Sequence, residues 1–217
     1  MLDIINLVAY SALIALLFSI GELLRTYMRL PAETTRKMAH ITCGLIGLSF
    51  AYGLQSGLAV GLICLLFCGV LLYTQIYKNL ESIHGIDRIS WGAVLFPASV
   101  AISYFLTQYL KVPAVYPAAI LVLTLADPAA AMGGSILPIT RFGGVFDGKS
   151  LGGSLSFFII ALGSLAGIQY FTPMPNITSR VLLAMAGSST VAELLGRKGT
   201  DNLFIPLACI VSYYLLN

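Results

Sequence analysis

LADPAAAMGGSILPITRFGGVFDGKSLGGSLSFF, residues Leu125 to Phe158, is the stretch whose reading decides the fold. An apolar segment carries the acid Asp127, with Pro128 directly behind it. A glycine-rich loop follows, holding Arg141, Asp147 and Lys149, and a second apolar segment opens with Ser150 and Ser154. The proline is expected to break the first helix beside Asp127. Ala129, Ala130, Ala131, Gly133 and Gly134 then permit close backbone approach. An ionised carboxylate in a membrane helix is costly unless it is paired or bound to a cation, and non-helical backbone at that depth survives only around a cavity. An acid able to hold Mg²⁺, a run of glycine amides, a lysine and a helix N-terminus are the parts a polyphosphate site requires.

Gly143, Gly148, Lys149 and Ser150 even satisfy G-x-x-x-x-G-K-[ST] letter for letter. That motif belongs after a β-strand inside a βαβ unit, which no segment of this chain can supply. The P-loop fold is therefore rejected and its physics kept. Glycine amides of 143–148 can turn toward an anion, and Lys149 can neutralise it.

The rest of the 217 residues explains why no strand is available. The chain is 58% hydrophobic and only 10% charged, with a mean hydropathy of +0.92, against roughly 25% charged residues in a soluble domain. Apolar spans fall near 4–24, 38–54, 57–77, 91–110, 114–135, 151–171, 180–195 and 203–216. They are helix-length and lack the two-residue alternation of a barrel strand. The expectation is an all-α, polytopic membrane helical bundle of seven to eight transmembrane helices, with residues 1–217 forming one domain. The first span has no basic flank or small-residue cleavage site and reads as a retained helix. Cys43, Cys64, Cys68 and Cys209 all lie in apolar spans and read as small hydrophobes.

Loop charge orients the bundle. If every span crosses, ten of the twelve basic residues fall on one side: Arg25, Arg29, Arg36, Lys37, Lys78, Arg88, Arg141, Lys149, Arg197 and Lys198. Only Lys111 and Arg180 lie opposite, so the crowded side is cytoplasmic. Glu22, Glu33, Glu81, Asp87, Asp127, Asp147, Glu193 and Asp201 share that side. Orientation rules do not sort acids, so their segregation points to a polar site facing the cytoplasm. Arg36, His40 and Gly44 share one face of the second span, with Lys37 one step round, and bound phosphates would partner this cationic face. His84 reads as a solvated loop histidine. Asp201 and Asn202 read as capping the last helix, which Pro206 interrupts. An acid and an amide at the depth of Asp127 also suit a second Mg²⁺ ligand set.

With these residues in view, the chain resembles the polyprenol kinase family, which includes dolichol kinase, phytol kinase and CTP-dependent diacylglycerol kinases and is related to membrane CTP transferases. The resemblance covers most of the chain after residue 33. It rests on Arg36-Lys37-x-x-His40-x-x-x-Gly44, Arg88-x-Ser90-x-Gly92-x-x-x-Phe96-Pro97, Asp127-Pro128-Ala129-Ala130 with Gly133, Gly148-Lys149-Ser150-x-x-Gly153-Ser154, and Glu193 with Asp201-Asn202-x-x-x-Pro206. It implies a membrane enzyme moving the γ-phosphate of a nucleotide, usually CTP, onto a lipid hydroxyl with Mg²⁺. Lys37, His40, Asp127, Lys149, Ser150, Glu193, Asp201 and Asn202 would surround nucleotide and metal. One departure is Gly152, where the family commonly carries Glu.

The expected roles follow. Asp127, Lys149, Glu193 and His40 are the catalytic candidates. Arg36, Lys37, Arg141, Gly143, Gly144, Gly148, Ser150, Ser154, Arg197 and Asn202 are candidates for the nucleotide, and Asp127, Glu193 and Asp201 for Mg²⁺. The acceptor expected is an isoprenoid alcohol such as phytol, a polyprenol or dolichol, in a prokaryotic cell membrane, with no nucleic acid and a homo-oligomer left open. A cytidylyltransferase, coupling CTP to a lipid phosphate, and a transporter are the alternatives. Against the transporter, the charges crowd one side instead of crossing.

Overall fold

A computed structural model describes residues 2–54, 56–88, 90–137, 142–143, 148–175 and 177–217. The expectations placed on Arg141, Gly144 and Asp147 lie outside these described residues. Within them the chain is helical: α1 (Leu2–Met28), α2 (Ala32–Gly53), α3 (Gly57–Ile76), α4 (Glu81–His84), α5 (Gly92–Tyr109), α6 (Val115–Ile136), α7 (Leu151–Ile168), α8 (Ser179–Leu195) and α9 (Asp201–Leu216). Four are long and apolar enough to cross a membrane: residues 3–28, α3, α6 and α7. α8 and α9, at 17 and 16 residues, are shorter.

The core forms around α6, where Val115, Ala119, Ile120, Val122, Leu123 and Ala126 are fully buried. α1 does the opposite, exposing Ile4, Val8, Leu16 and Leu23. An exposed apolar helix is unstable in water and at home in lipid. α6 and α7 meet along a seam of small residues. A Cβ on Gly133 would stand 2.0 Å from Ser156 Oγ, and one on Gly152 would stand 2.0 Å from the Leu137 carbonyl oxygen. At Gly152 backbone therefore packs on backbone, and at Gly133 the Ser156 side chain fills the space a Cβ would take.

Two expectations about proline are corrected. α6 runs unbroken through Pro128, and α9 runs through Pro206. Pro128 lacks the amide that would serve the preceding turn, but His40 on α2 donates from Nε2 to the Leu123 carbonyl, 3.0 Å away. That bond holds α2 against the turn the proline interrupts; the carbonyl that loses its amide partner is that of Thr124, one residue further on. Pro206 sits in the second turn of α9, where only the Asn202 carbonyl loses its amide partner.

Asp201 is also not a cap. Thr200 holds the N-cap position and Asp201 is the first helical residue. Nor is His84 a solvated loop residue. It ends the short α4, half-buried, with Nε2 3.0 Å from Thr74 Oγ1. Burial pushes its imidazole below the ordinary histidine pKa. Two of the acids expected at the polar site instead fix α4 to α1: Glu22 Oε2 accepts from the Ser82 amide at 3.0 Å, and Arg25 pairs with Glu81 at 3.5 Å.

Candidate active site

One end of the bundle gathers the start of α2, the segment before α5, the second half of α6, the start of α7, the end of α8 and the start of α9. Between them lies a cleft of about 910 Å³. Its walls carry Arg36, Lys37 and His40 from α2, and Asp127 from α6. Gly148, Lys149, Ser150 and Ser154 line it from the α7 side, and Glu193, Arg197, Asp201 and Asn202 from α8 and α9. All are residues singled out from the sequence. Gly143 is described but does not line the cleft.

Local structure explains how each side chain arrives. Gly148 has φ +83°, a left-handed conformation that glycine adopts without strain. It turns the chain so that Lys149 enters the cleft and Ser150 begins α7. Ser150 is the N-cap of α7, its Oγ accepting from the Gly153 amide at 3.1 Å. On the far wall, Trp91 N donates to the Lys198 carbonyl (2.8 Å) and Asn202 Nδ2 to the Gly92 carbonyl (2.8 Å). Asn202 thereby ties α9 to the start of α5.

The ion pairing is centred on Lys149. Its Nζ lies 2.5 Å from Glu193 Oε1 and 3.4 Å from Asp201 Oδ2. Burial alone would favour the neutral amine, but the two carboxylates outweigh it and hold the Lys149 pKa above its ordinary value. Asp127 Oδ2 stands 3.8 Å from His40 Nε2, and Asp127 also feels the charges of Asp201, Lys149 and Arg36. Since His40 Nε2 faces a carbonyl oxygen, which only accepts, that nitrogen carries a hydrogen. Asp127 is nine residues from the C-terminal end of α6, about 13 Å deep at ~1.5 Å per residue.

Some residues of the cleft were not on the list of candidates. Glu33 Oε1 accepts from Arg36 Nη2 (2.8 Å) and from Arg88 Nη2 (3.2 Å), gathering two guanidinium groups at the rim. The i,i+3 spacing of Glu33 and Arg36 was the available signal. Ser90, Ser135 and Lys198 also line the cleft.

The donor set suits an oxygen-ligated cation. Glu193 Oε2 is buried without a hydrogen-bond partner, as is Ser154 Oγ, among the described residues. No three His, Cys, Asp or Glu side chains among them form a ready cage. Mg²⁺ does not need one, because it is usually held by one or two carboxylates together with waters and substrate phosphates.

No protein-family model and no solved structure matches the chain. The chain is 28% identical to a phytol kinase of Synechocystis sp. over 192 residues, 86% of this chain and 81% of that protein. Over that length the chain is similar to a phytol kinase as a distant relative, which supports the resemblance to the polyprenol and phytol kinases.

Proposed function

We propose that this protein is a Mg²⁺-dependent kinase that transfers the γ-phosphate of CTP to the hydroxyl of a membrane lipid alcohol, most naturally an isoprenoid alcohol such as phytol or a polyprenol. One observation carries the reading. A single cleft joins carboxylates (Asp127, Glu193, Asp201) to a cationic rim (Arg36, Lys37, Arg88, Arg197, Lys198) at one end of an apolar bundle. Phosphoryl transfer asks mainly for alignment and charge neutralisation, and those are the parts present.

All eight long helices cross the bilayer in this proposal, which puts the cleft on the cytoplasmic side. That the beginnings of α2, α5, α7 and α9 meet the ends of α6 and α8 supports the alternation. Nucleotide then arrives from water and the alcohol from lipid.

Asp201 and Glu193, with Asp127 within reach, are the residues that would hold Mg²⁺, which when bound neutralises phosphate charge as the transfer proceeds. Lys149 and the cationic rim align the phosphates. The alcohol oxygen gives up its proton, forms a bond to the γ-phosphorus, and the bond from that phosphorus to the β–γ bridging oxygen breaks, releasing CDP. Asp127 is the better-placed proton acceptor, because Oε1 of Glu193 is already held by Lys149.

The test uses purified protein in detergent with labelled CTP, Mg²⁺ and a panel of phytol, farnesol, polyprenol, diacylglycerol and, as a lipid phosphate, phosphatidate. CDP with a phosphorylated alcohol supports the kinase; pyrophosphate identifies a cytidylyltransferase instead. Asp127→Asn should lower turnover about 10²-fold or more while thermal unfolding stays unchanged. Retained turnover removes Asp127 from the chemistry.

A further inference from the structure

A second, largely apolar cavity adjoins the charged cleft. It is about a tenth the size of the cleft, a crevice and not a chamber. Its walls are apolar and come from α1, α2, α3 and α5, with Phe18, Phe50, Ile63, Phe67, Phe96 and Val100 among them. The thiols of Cys43 and Cys64 are the remaining polar atoms along these walls, and only one end is strongly polar. That end is formed by Arg36, His40 and Asn202, which line the charged cleft as well.

Along α2 the lining runs from His40 through Cys43 and Gly47 to Phe50. Ten residues of helix make this path about 15 Å long, with Gly47 about 10 Å from the mouth. A polar mouth opening on a phosphate-suited cleft, leading into a narrow apolar bore, is complementary to an amphiphile with one tail. The two tails of a diacylglycerol do not share so slim a space.

We propose that this crevice holds the hydrocarbon chain of a single-chain lipid alcohol. The hydroxyl lies at the His40–Asn202 mouth, and the chain runs along α2 past Gly47 toward Phe50. Gly47 then acts as a chain-length determinant. The inference rests on the kinase reading for the identity of its occupant.

Gly47→Leu is the test. A Cβ there would meet the Val100 methyl at 3.4 Å, ordinary contact, so the first carbon fits and the remainder obstructs the bore. Turnover is measured on geraniol, farnesol and geranylgeraniol. Gly47→Leu should lose about tenfold or more on geranylgeraniol relative to geraniol, since burial of the distal chain is lost. Gly47→Ala should shift the preference the same way by less. An unchanged preference in both variants overturns the proposal.

A second arm needs neither nucleotide nor turnover and uses the native sequence. A geranylgeraniol analogue with a diazirine at its tail end is photolysed with the protein, and labelled peptides are mapped by mass spectrometry. Label at Phe50, Ile63 or Phe67 supports the crevice. Label confined to outward-facing Leu65 and Leu66 or to the exposed Ile4, Val8 and Leu16 of α1 overturns it. Crevice labelling without phosphorylation of any alcohol would sink the kinase reading alone. Phosphorylation with label only outside would sink the crevice alone.

Discussion

Lys149→Met separates what the central ion pair does for folding from what it does for chemistry. The substitution keeps the length of the side chain and removes the ammonium, leaving Glu193 and Asp201 facing each other without a counter-charge. The side chains of Lys149 and Glu193 are only 21% and 4% exposed, so water screens the loss poorly. Breaking such a buried pair costs about 3–5 kcal/mol, or about 6–20 °C in Tm for a chain of this size. Adding Glu193→Gln should recover most of that loss, because Glu193 is the more deeply buried acid and its charge is the one left stranded. Turnover should stay lost in the double variant, which lacks both the phosphate-aligning cation and a metal-binding carboxylate. The assays are thermal unfolding in detergent and transfer from labelled CTP, run on wild type, both single variants and the double. A Lys149→Met protein as stable as wild type would refute the electrostatic argument, and one that still turns over would remove the lysine from the site.

Other outcomes follow from packing and from titration. A Cβ on Gly44 would stand 2.1 Å from Thr124 Oγ1, so Gly44→Ala should cost about 1–3 kcal/mol by overpacking. Thr124→Ala in the same protein should return part of it, and thermal unfolding of the four-member cycle checks both. His84 is pushed below its ordinary pKa by burial, so the folded state favours neutral imidazole. The stability this gives is present above the unfolded-state value near 6.5 and is lost as pH falls through the lower folded-state value. His84→Gln should flatten the acid limb of a Tm-against-pH curve; an identical limb would remove His84 as its cause.

The helices were legible because an apolar run in a membrane chain has few other ways to satisfy its backbone. The expected span 57–77 is α3 at Gly57–Ile76, and 114–135 is α6 at Val115–Ile136. The gathering of Asp127, Lys149 and Asp201 at one end was also legible, since successive antiparallel helices bring alternate ends together. What failed was local punctuation read without neighbours. Pro128 looks like a terminator until His40 is seen donating to the turn before it. Four-residue α4 has no periodicity to detect, so His84 looked solvated. Which side chains pair depends on how each helix is rotated about its axis, so nothing in the spacing assigned Lys149 to Glu193. The apolar crevice was illegible for the same reason: its lining residues read as ordinary helix core.

Gly152 limits what can be grafted onto this scaffold. The position where the family pattern carries a glutamate is pressed against the carbonyl oxygen of Leu137, at the residue following α6. Reinstating the acid alone would drive a side chain into main-chain atoms, so the reversion is a trap for anyone comparing sequences column by column. A chimera would have to import the donor's whole turn after α6 along with the carboxylate. The two sites are exchangeable only as a linked pair.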